Sequence, residues 1–464
     1  MKYISTRGKA PTLDFEGVTL TGLARDGGLY VPASWPQISK AEIRELAGLP
    51  YHEVAYRIIS PFVADSMSES ALKKLLKDTY GEAFRNKAVA PLLQLDSNHF
   101  LLELFHGPTL AFKDFALQAL GRFFDTFTAS SGKPLTIVGA TSGDTGSAAI
   151  EGCRGRDTVR IFMLHPKGRV SDVQRRQMTT VIEPNVTNIA VEGTFDDCQD
   201  MVKALFNDHE FRDEVGLTAV NSINWARVMA QVVYYFVAAV ALGGPDREIA
   251  FTVPTGNFGD IYAGYVAKQM GLPISKLVIA TNSNDILTRT FETGRYERGE
   301  VFATFSPSMD IQISSNFERF LFDLVGRDGN EIQRLMDELS ETGGFDLTTA
   351  QLAKARSIMS AHRLSDEETE VIIASYYNSN GILLDPHTAV GVGAAEVCLA
   401  GIDAPHVTLA TAHPAKFADA VRSATGTEAP LPDHLSNLMV AREEFITLPN
   451  DINALKAIIV GQSF

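Results

Sequence analysis

The apolar positions of this 464-residue chain change their period near residue 90. Before it, SMSESALKKLLKDTYGEAF (residues 66 to 84) sets apolar residues at helical spacing behind a capping serine, which predicts a helix. LARDGGLYVP (23 to 32) is turn-rich. Residues 1–90 therefore read as a mostly helical, self-contained N-terminal extension. Beyond it, short apolar runs alternate with helical patterns: LTIVGAT (135 to 141), VRIFML (159 to 164), EIAFTVPTG (248 to 256) and KLVIATN (276 to 282). These runs are continuous rather than alternating, as in strands covered on both faces, so they predict buried parallel strands in an α/β fold. The longest apolar run, Val232 to Leu242, falls far short of the roughly 20 residues that span a bilayer and reads as a buried helix. A polar helical segment near 330–377 precedes HVTLATAHPAKFADAV (406 to 421), which has strand-turn-helix character.

Composition narrows the class. The chain is 45% hydrophobic and 21% charged, the balance of a soluble globular protein, and its length calls for two or three domains. A formal net charge of −15 without basic runs argues against nucleic acid and anionic membranes as partners. Any phosphorylated substrate would need positive potential concentrated locally. Cys153, Cys198 and Cys398 are odd in number and unpaired in spacing, so a reducing cytoplasmic setting is expected, and the opening MKYISTRGK lacks the apolar core of a signal peptide. The ten histidines are dispersed, with no HExxH, so no metal site is expected.

Glycine- and hydroxyl-rich turns close several predicted strands, where open α/β sheets bind ligands. ATSGDTGSAAI (140 to 150) leaves helix N-terminal N–H groups exposed beside Thr141, Ser142 and Thr145, a nest for carboxylate or phosphate or else an ordinary helix cap. PTGNFGD (254 to 260) opens a helix after a strand, and Gly256 and Gly259 permit close approach of an anion. Neither turn has Walker or dinucleotide spacing. In NSINWARVMAQ (221 to 231), Asn224 and Arg227 stand on the polar head of an apolar helix, where Arg227 could grip an anion or form a surface salt bridge. Thr411 ends a strand, as a structural residue or as a partner for a heteroaromatic nitrogen. Finally, HGPTLAFKDFA (106 to 116) sets Lys113 among bulky apolar neighbours at a strand-to-helix transition. It is either a surface lysine with a solvated Asp114, or a desolvated amine able to attack a carbonyl.

The phrases LARDGGLYVP, HGPTLAFKDFA, ATSGDTGSAA, EGTFDDCQ, SINWARV, PTGNFGD and LATAHPAKF occur in the order found in the threonine synthase family, and the chain resembles its N-terminally extended bacterial and fungal branch. The resemblance implies the fold type II architecture of pyridoxal 5'-phosphate enzymes. This is an α/β fold with two open α/β domains, the cofactor in the cleft between them, and a mostly helical extension. On this basis residues 91–140 and 230–464 form the large cofactor domain, and 141–229 a smaller inserted domain. It further implies that Lys113 forms the Schiff base with the cofactor, that Gly256, Asn257, Phe258, Gly259 and Asp260 hold its phosphate, and that Thr411 faces its pyridine nitrogen. Asp144 stands where many members have Asn near the ring hydroxyl. Thr141, Ser142, Gly143 and Thr145 are implied to grip the substrate carboxylate, and Asn224 and Arg227 its phosphate end.

The implied reaction converts O-phosphohomoserine and water to L-threonine and phosphate, the last step of threonine biosynthesis. The alternative is another lyase on the same scaffold, such as a serine/threonine dehydratase or a threonine-synthase-like phospholyase. A non-catalytic binding protein and a nucleotide-binding enzyme are more distant readings. Monomer and homodimer remain equally open.

Overall fold

A computed structural model describes residues 1–132, 134–141 and 143–462. Two sheets organise the chain beyond the extension. The first has six strands in the order Met359–Arg363, Ile274–Thr281, Ile249–Pro254, His406–Ala410, His99–Glu103 and Leu92–Gln94. All neighbours are parallel except the last pair. The second has five parallel strands, in the order Ile446–Pro449, Val186–Glu192, Val159–Pro166, Leu135–Ala140 and Leu217–Thr218. Every residue of Val159–Pro166 and of Ile249–Pro254 is buried, as expected of central parallel strands.

The sheets move the expected domain seams. Leu135–Ala140, assigned from sequence to the large domain, lies in the second sheet, and so does the C-terminal strand Ile446–Pro449. The helix Trp225–Ala241 runs unbroken across the seam expected at 229/230, because Asn224 caps its start and no breaker follows until Gly243. The segment at 330–377 was expected to be helical throughout but contains the strand Met359–Arg363. That strand forms one edge of its sheet and has a parallel neighbour on one side only, so it lacks the apolar run that marks a central strand.

The extension is mostly helical but not self-contained. Trp225, fully buried in the long helix, packs its ring against Tyr3, Trp35 and Phe62 at centroid distances of 6.0, 6.1 and 5.8 Å. Thr6 donates to Glu318 at 2.6 Å and Arg7 pairs with the same carboxylate at 3.1 Å. The buried Arg319 donates to the carbonyls of Tyr30 and Ile223 and to the side chain of Asn316. Asn316 in turn donates to the carbonyl of Asn257 at 3.0 Å. The extension therefore shares a core with the sheet domain and braces two of the turns singled out in the sequence.

Candidate active site

Topology brings the candidate groups to one edge. Ile249–Pro254, His406–Ala410 and His99–Glu103 are parallel neighbours, so the segments leaving their carboxyl ends emerge side by side. These segments carry Gly256 to Asp260, Thr411, and the phrase that contains Lys113. A bridge between Ala111 and Ala412, and a hydrogen bond from the Phe112 N–H to the Thr411 carbonyl at 2.9 Å, fix Thr411 beside the lysine.

Lys113 is the first residue of the helix Lys113–Ser131 and is buried. The choice between an exposed and a desolvated lysine is thereby settled for the desolvated one, and Asp114 is not the solvated neighbour that the surface alternative required. Asp114 is fully buried, and its carboxylate accepts from the Thr109 N–H at 2.8 Å and hydroxyl at 2.7 Å. This clasp turns the chain back so that the next helix starts at the lysine. Burial pushes the Asp114 carboxyl up to about 7 despite those hydrogen bonds.

The Lys113 Nζ donates to Asp144 Oδ2 and to Ser308 Oγ, both at 3.2 Å. Asp144 opens the helix Asp144–Cys153, and its other oxygen meets Lys416 Nζ and Gln174 Nε2, each at 2.8 Å. Burial lowers the Lys113 pKa; Asp144 opposes this, whereas Lys416 and Arg227 reinforce it. For Asp144, burial would raise the pKa, but Lys113 and Lys416 with the Lys416 and Gln174 hydrogen bonds hold it well below the usual carboxylate range. The carboxylate is therefore ionised, and it lies between two ammonium groups.

The turn before Asp144 is tightly built. Thr141 Oγ accepts from the Gly143 and Gly146 N–H groups at 2.9 Å, so its oxygen is engaged in shaping the loop. Gly143 has a φ of +149°, and a Cβ there would lie 2.5 Å from the Gln174 side chain, so glycine is required. Thr145 is half-buried, and Ser142 lies outside the described residues.

The turn from Gly256 to Asp260 leaves its N–H groups without a hydrogen-bond partner among the described residues. They stand at the N-terminus of Gly259–Gln269, where the helix dipole favours an anion. A Cβ on Gly256 would come 2.7 Å from the Ser308 carbonyl oxygen. Asn257 is exposed, whereas Phe258 is buried against Phe317 and Phe320 and adopts a left-handed φ of 62°. The backbone cradle fits the phosphate of the expected cofactor, with Lys113 one residue, Ser308, away from it.

Two of the implied residues have side chains already engaged by protein groups. The Asp260 side chain accepts from the hydroxyls of Tyr234 and Tyr235 on the neighbouring helix, because this carboxyl is buried within the fold. Asn224 is fully buried, accepts from the Ala226 N–H at 3.0 Å and donates to the Thr19 carbonyl at 2.9 Å, so its amide is engaged in capping the helix and holding the extension. Arg227 differs. It is buried, donates to the Val220 carbonyl at 2.9 Å, leaves Nε unpartnered, and pairs with no carboxylate among the described residues.

Burial raises the Asp260 pKa to about 7 although both tyrosines lower it. Between roughly pH 4 and 7 the unfolded carboxyl is ionised while the folded one keeps its proton, so this group's contribution to stability falls as pH rises. Asp260→Asn should flatten the pH dependence of the melting temperature over that window. An unchanged slope in differential scanning calorimetry of the cofactor-free protein would contradict the assignment.

Sequence reasoning missed Ser308, Gln174 and Lys416 as members of the site. Ser308 and Gln174 carry no local motif, and Lys416 lay inside a phrase read only for Thr411.

Comparison with known proteins agrees with this geometry. The family model for the threonine synthase N terminus matches residues 2–80, that for pyridoxal-phosphate dependent enzymes residues 85–411, and that for the threonine synthase C-terminal region residues 388–459. The chain is 55% identical to threonine synthase of Pseudomonas aeruginosa, covering 99% of this chain and 98% of that one. It is 46% identical to threonine synthase of Saccharomyces cerevisiae, over 91% and 88% of the two chains. The crystal structure of PLP-bound threonine synthase from Brucella melitensis superposes with a TM-score of 0.97 at 54% identity, covering 100% of this chain and 99% of that one. Helix-opening lysine, anion cradle and full-length similarity coincide, and the chain belongs to the threonine synthase family of pyridoxal-phosphate enzymes.

Proposed function

We propose that this protein converts O-phosphohomoserine and water to L-threonine and phosphate with pyridoxal 5'-phosphate as cofactor, in a cytoplasmic setting that suits its three free cysteines. The observation that carries the reading is the placement of Lys113. Its amine is buried, has a lowered pKa, and stands beside an ionised Asp144 at the mouth of an anion cradle. Bound there, the cofactor supplies an electron sink that acidifies the substrate's α and β positions.

The protein's part is binding, orientation and proton traffic. The N–H groups of Gly256 to Asp260 would hold the cofactor phosphate, and Lys113 would be the residue that holds its aldehyde end. With its amine free, Lys113 would be a base of lowered pKa held by Asp144 and Ser308, suited to move protons at the α and β carbons. Thr411 would present its hydroxyl to the pyridine nitrogen and, unlike a carboxylate, would not keep that nitrogen protonated. Thr145 would receive the substrate carboxylate at the helix N-terminus, with Thr141 and Gly143 shaping that loop.

Arg227 receives the substrate phosphate. A buried guanidinium without a carboxylate partner is costly unless an anion completes it. Arg227→Ala should raise KM for the phosphorylated substrate by about tenfold or more while the cofactor dissociation constant changes less than threefold, roughly 0.7 kcal/mol. An unchanged KM would remove Arg227 from this role. The reading as a whole is tested by assaying products from O-phosphohomoserine, where threonine and phosphate in equal amounts are expected. Keto acid without threonine would place the protein among the dehydratase-like lyases instead.

A further inference from the structure

The least expected feature of the site is its second buried lysine. The Lys416 side chain is fully shielded from solvent, yet its Nζ makes two short contacts, to Asp144 Oδ1 at 2.8 Å and to the Thr109 carbonyl at 2.7 Å. Lys113 holds the other oxygen of the same carboxylate, at 3.2 Å. Asp144 is thus bridged by two ammonium groups with different obligations. Lys113 would keep its positive charge beside Asp144 only while its nitrogen, once bonded to the cofactor, stayed protonated. Lys416 lies in the short helical turn Pro414–Phe417, and its second partner, Thr109, is itself clasped by Asp114. Nothing in these contacts requires Lys416 to move.

We propose that Lys416 is a positioning residue, whose fixed ammonium keeps Asp144 ionised and in place independently of Lys113, and so sets the protonation of the Lys113 nitrogen when that nitrogen is bound to cofactor. The inference rests on the assignment of Lys113 as the cofactor lysine. Physically, a carboxylate buried with a single mobile cation would lose its counter-charge each time that cation reacted, and an unpaired buried charge is strongly disfavoured. A second, immobile cation removes the problem. The same cation, close to Lys113 in a low-dielectric surrounding, also makes a proton on the Lys113 nitrogen less favourable. Asp144 favours that proton, and Arg227 opposes it from the far helix. Asp114, which also feels Lys416, faces this segment too, as do His387, whose ring meets Phe417 and whose Nε2 accepts from the Ser308 N–H, and His413, which caps the Lys416 turn.

The test uses the cofactor-loaded protein and its visible absorbance, followed between about pH 6 and 10. In Lys416→Met the midpoint of the spectral titration should rise by about one unit relative to the parent protein, because a neighbouring positive charge is gone. In Lys416→Arg, which keeps the charge, it should stay within about a third of a unit. An unmoved midpoint in Lys416→Met, no titration in any of the three proteins, or an equal shift in Lys416→Arg would each overturn the proposal. Should Lys416→Met fail to hold cofactor, melting of the cofactor-free proteins decides. If Lys416 acts through Asp144, the double variant Asp144→Asn with Lys416→Met melts higher than Lys416→Met alone. An equal or lower melting temperature contradicts it. A parent protein without a visible cofactor band would instead refute the cofactor assignment itself, which keeps the two failures apart.

Discussion

Lys113→Ala is expected to yield a folded protein that has lost the visible absorbance of bound cofactor and whose turnover has dropped by at least about 10⁴-fold. Two functions are removed together, covalent attachment of the cofactor and proton transfer, so no partial activity should survive through either alone. The fold should tolerate the change because the charge left behind is not orphaned. Asp144 keeps Lys416 and Gln174 at 2.8 Å, which together satisfy one oxygen, and Ser308 Oγ at 3.2 Å on the other. A circular-dichroism spectrum matching the parent protein distinguishes this outcome from unfolding. Retained turnover would mean that another lysine carries the chemistry, and Lys416 would be the first to test.

Gly256→Val should weaken cofactor binding by about 100-fold or more, equivalent to roughly 2.7 kcal/mol. The cause is space rather than backbone strain. The added Cβ would lie 2.7 Å from the Ser308 carbonyl oxygen and 3.2 Å from the Met309 α carbon. Both are main-chain atoms, which cannot swing aside as a side-chain tip would. Either the 307–309 turn shifts, displacing Ser308 from Lys113 and Asp144, or the phosphate loop does, spoiling the convergence of its N–H groups. Equilibrium titration of the cofactor-free variant, followed by absorbance, measures the loss. Gly256→Ala should show a smaller effect in the same direction, since it adds the clash without the branched methyls. Unchanged affinity in the valine variant would detach this turn from the cofactor phosphate.

Much of the architecture was legible because parallel strands buried on both faces leave continuous apolar runs. LTIVGAT, VRIFML, EIAFTV and KLVIATN each correspond to a strand within a residue or two. Met359–Arg363 was not legible, since an edge strand can remain polar. The seam between the two sheets was misplaced for a related reason: membership of a sheet depends on which strands pair, and the pairing of Leu135–Ala140 with Val159–Pro166 leaves no mark in either segment alone. In the site, the fold brings together residues from compact phrases, namely Lys113, Asp144 and the Gly256 turn. Their supporting contacts come from residues 30, 164 and 272 positions away from Asp144, namely Gln174, Ser308 and Lys416. Only the folded chain assembles those. Asn224 shows the converse: a polar residue at a helix start, read as a ligand from sequence, has its amide engaged by the helix and the extension.

The central claim, that Lys113 takes the cofactor while Lys416 serves Asp144, is tested most directly by trapping. The loaded protein is reduced with borohydride, digested, and the modified peptide located by mass spectrometry. The cofactor-derived mass is expected on Lys113, within residues 106 to 116, with Lys416 unmodified. The same mass on Lys416, or on any lysine outside that segment, would contradict the assignment.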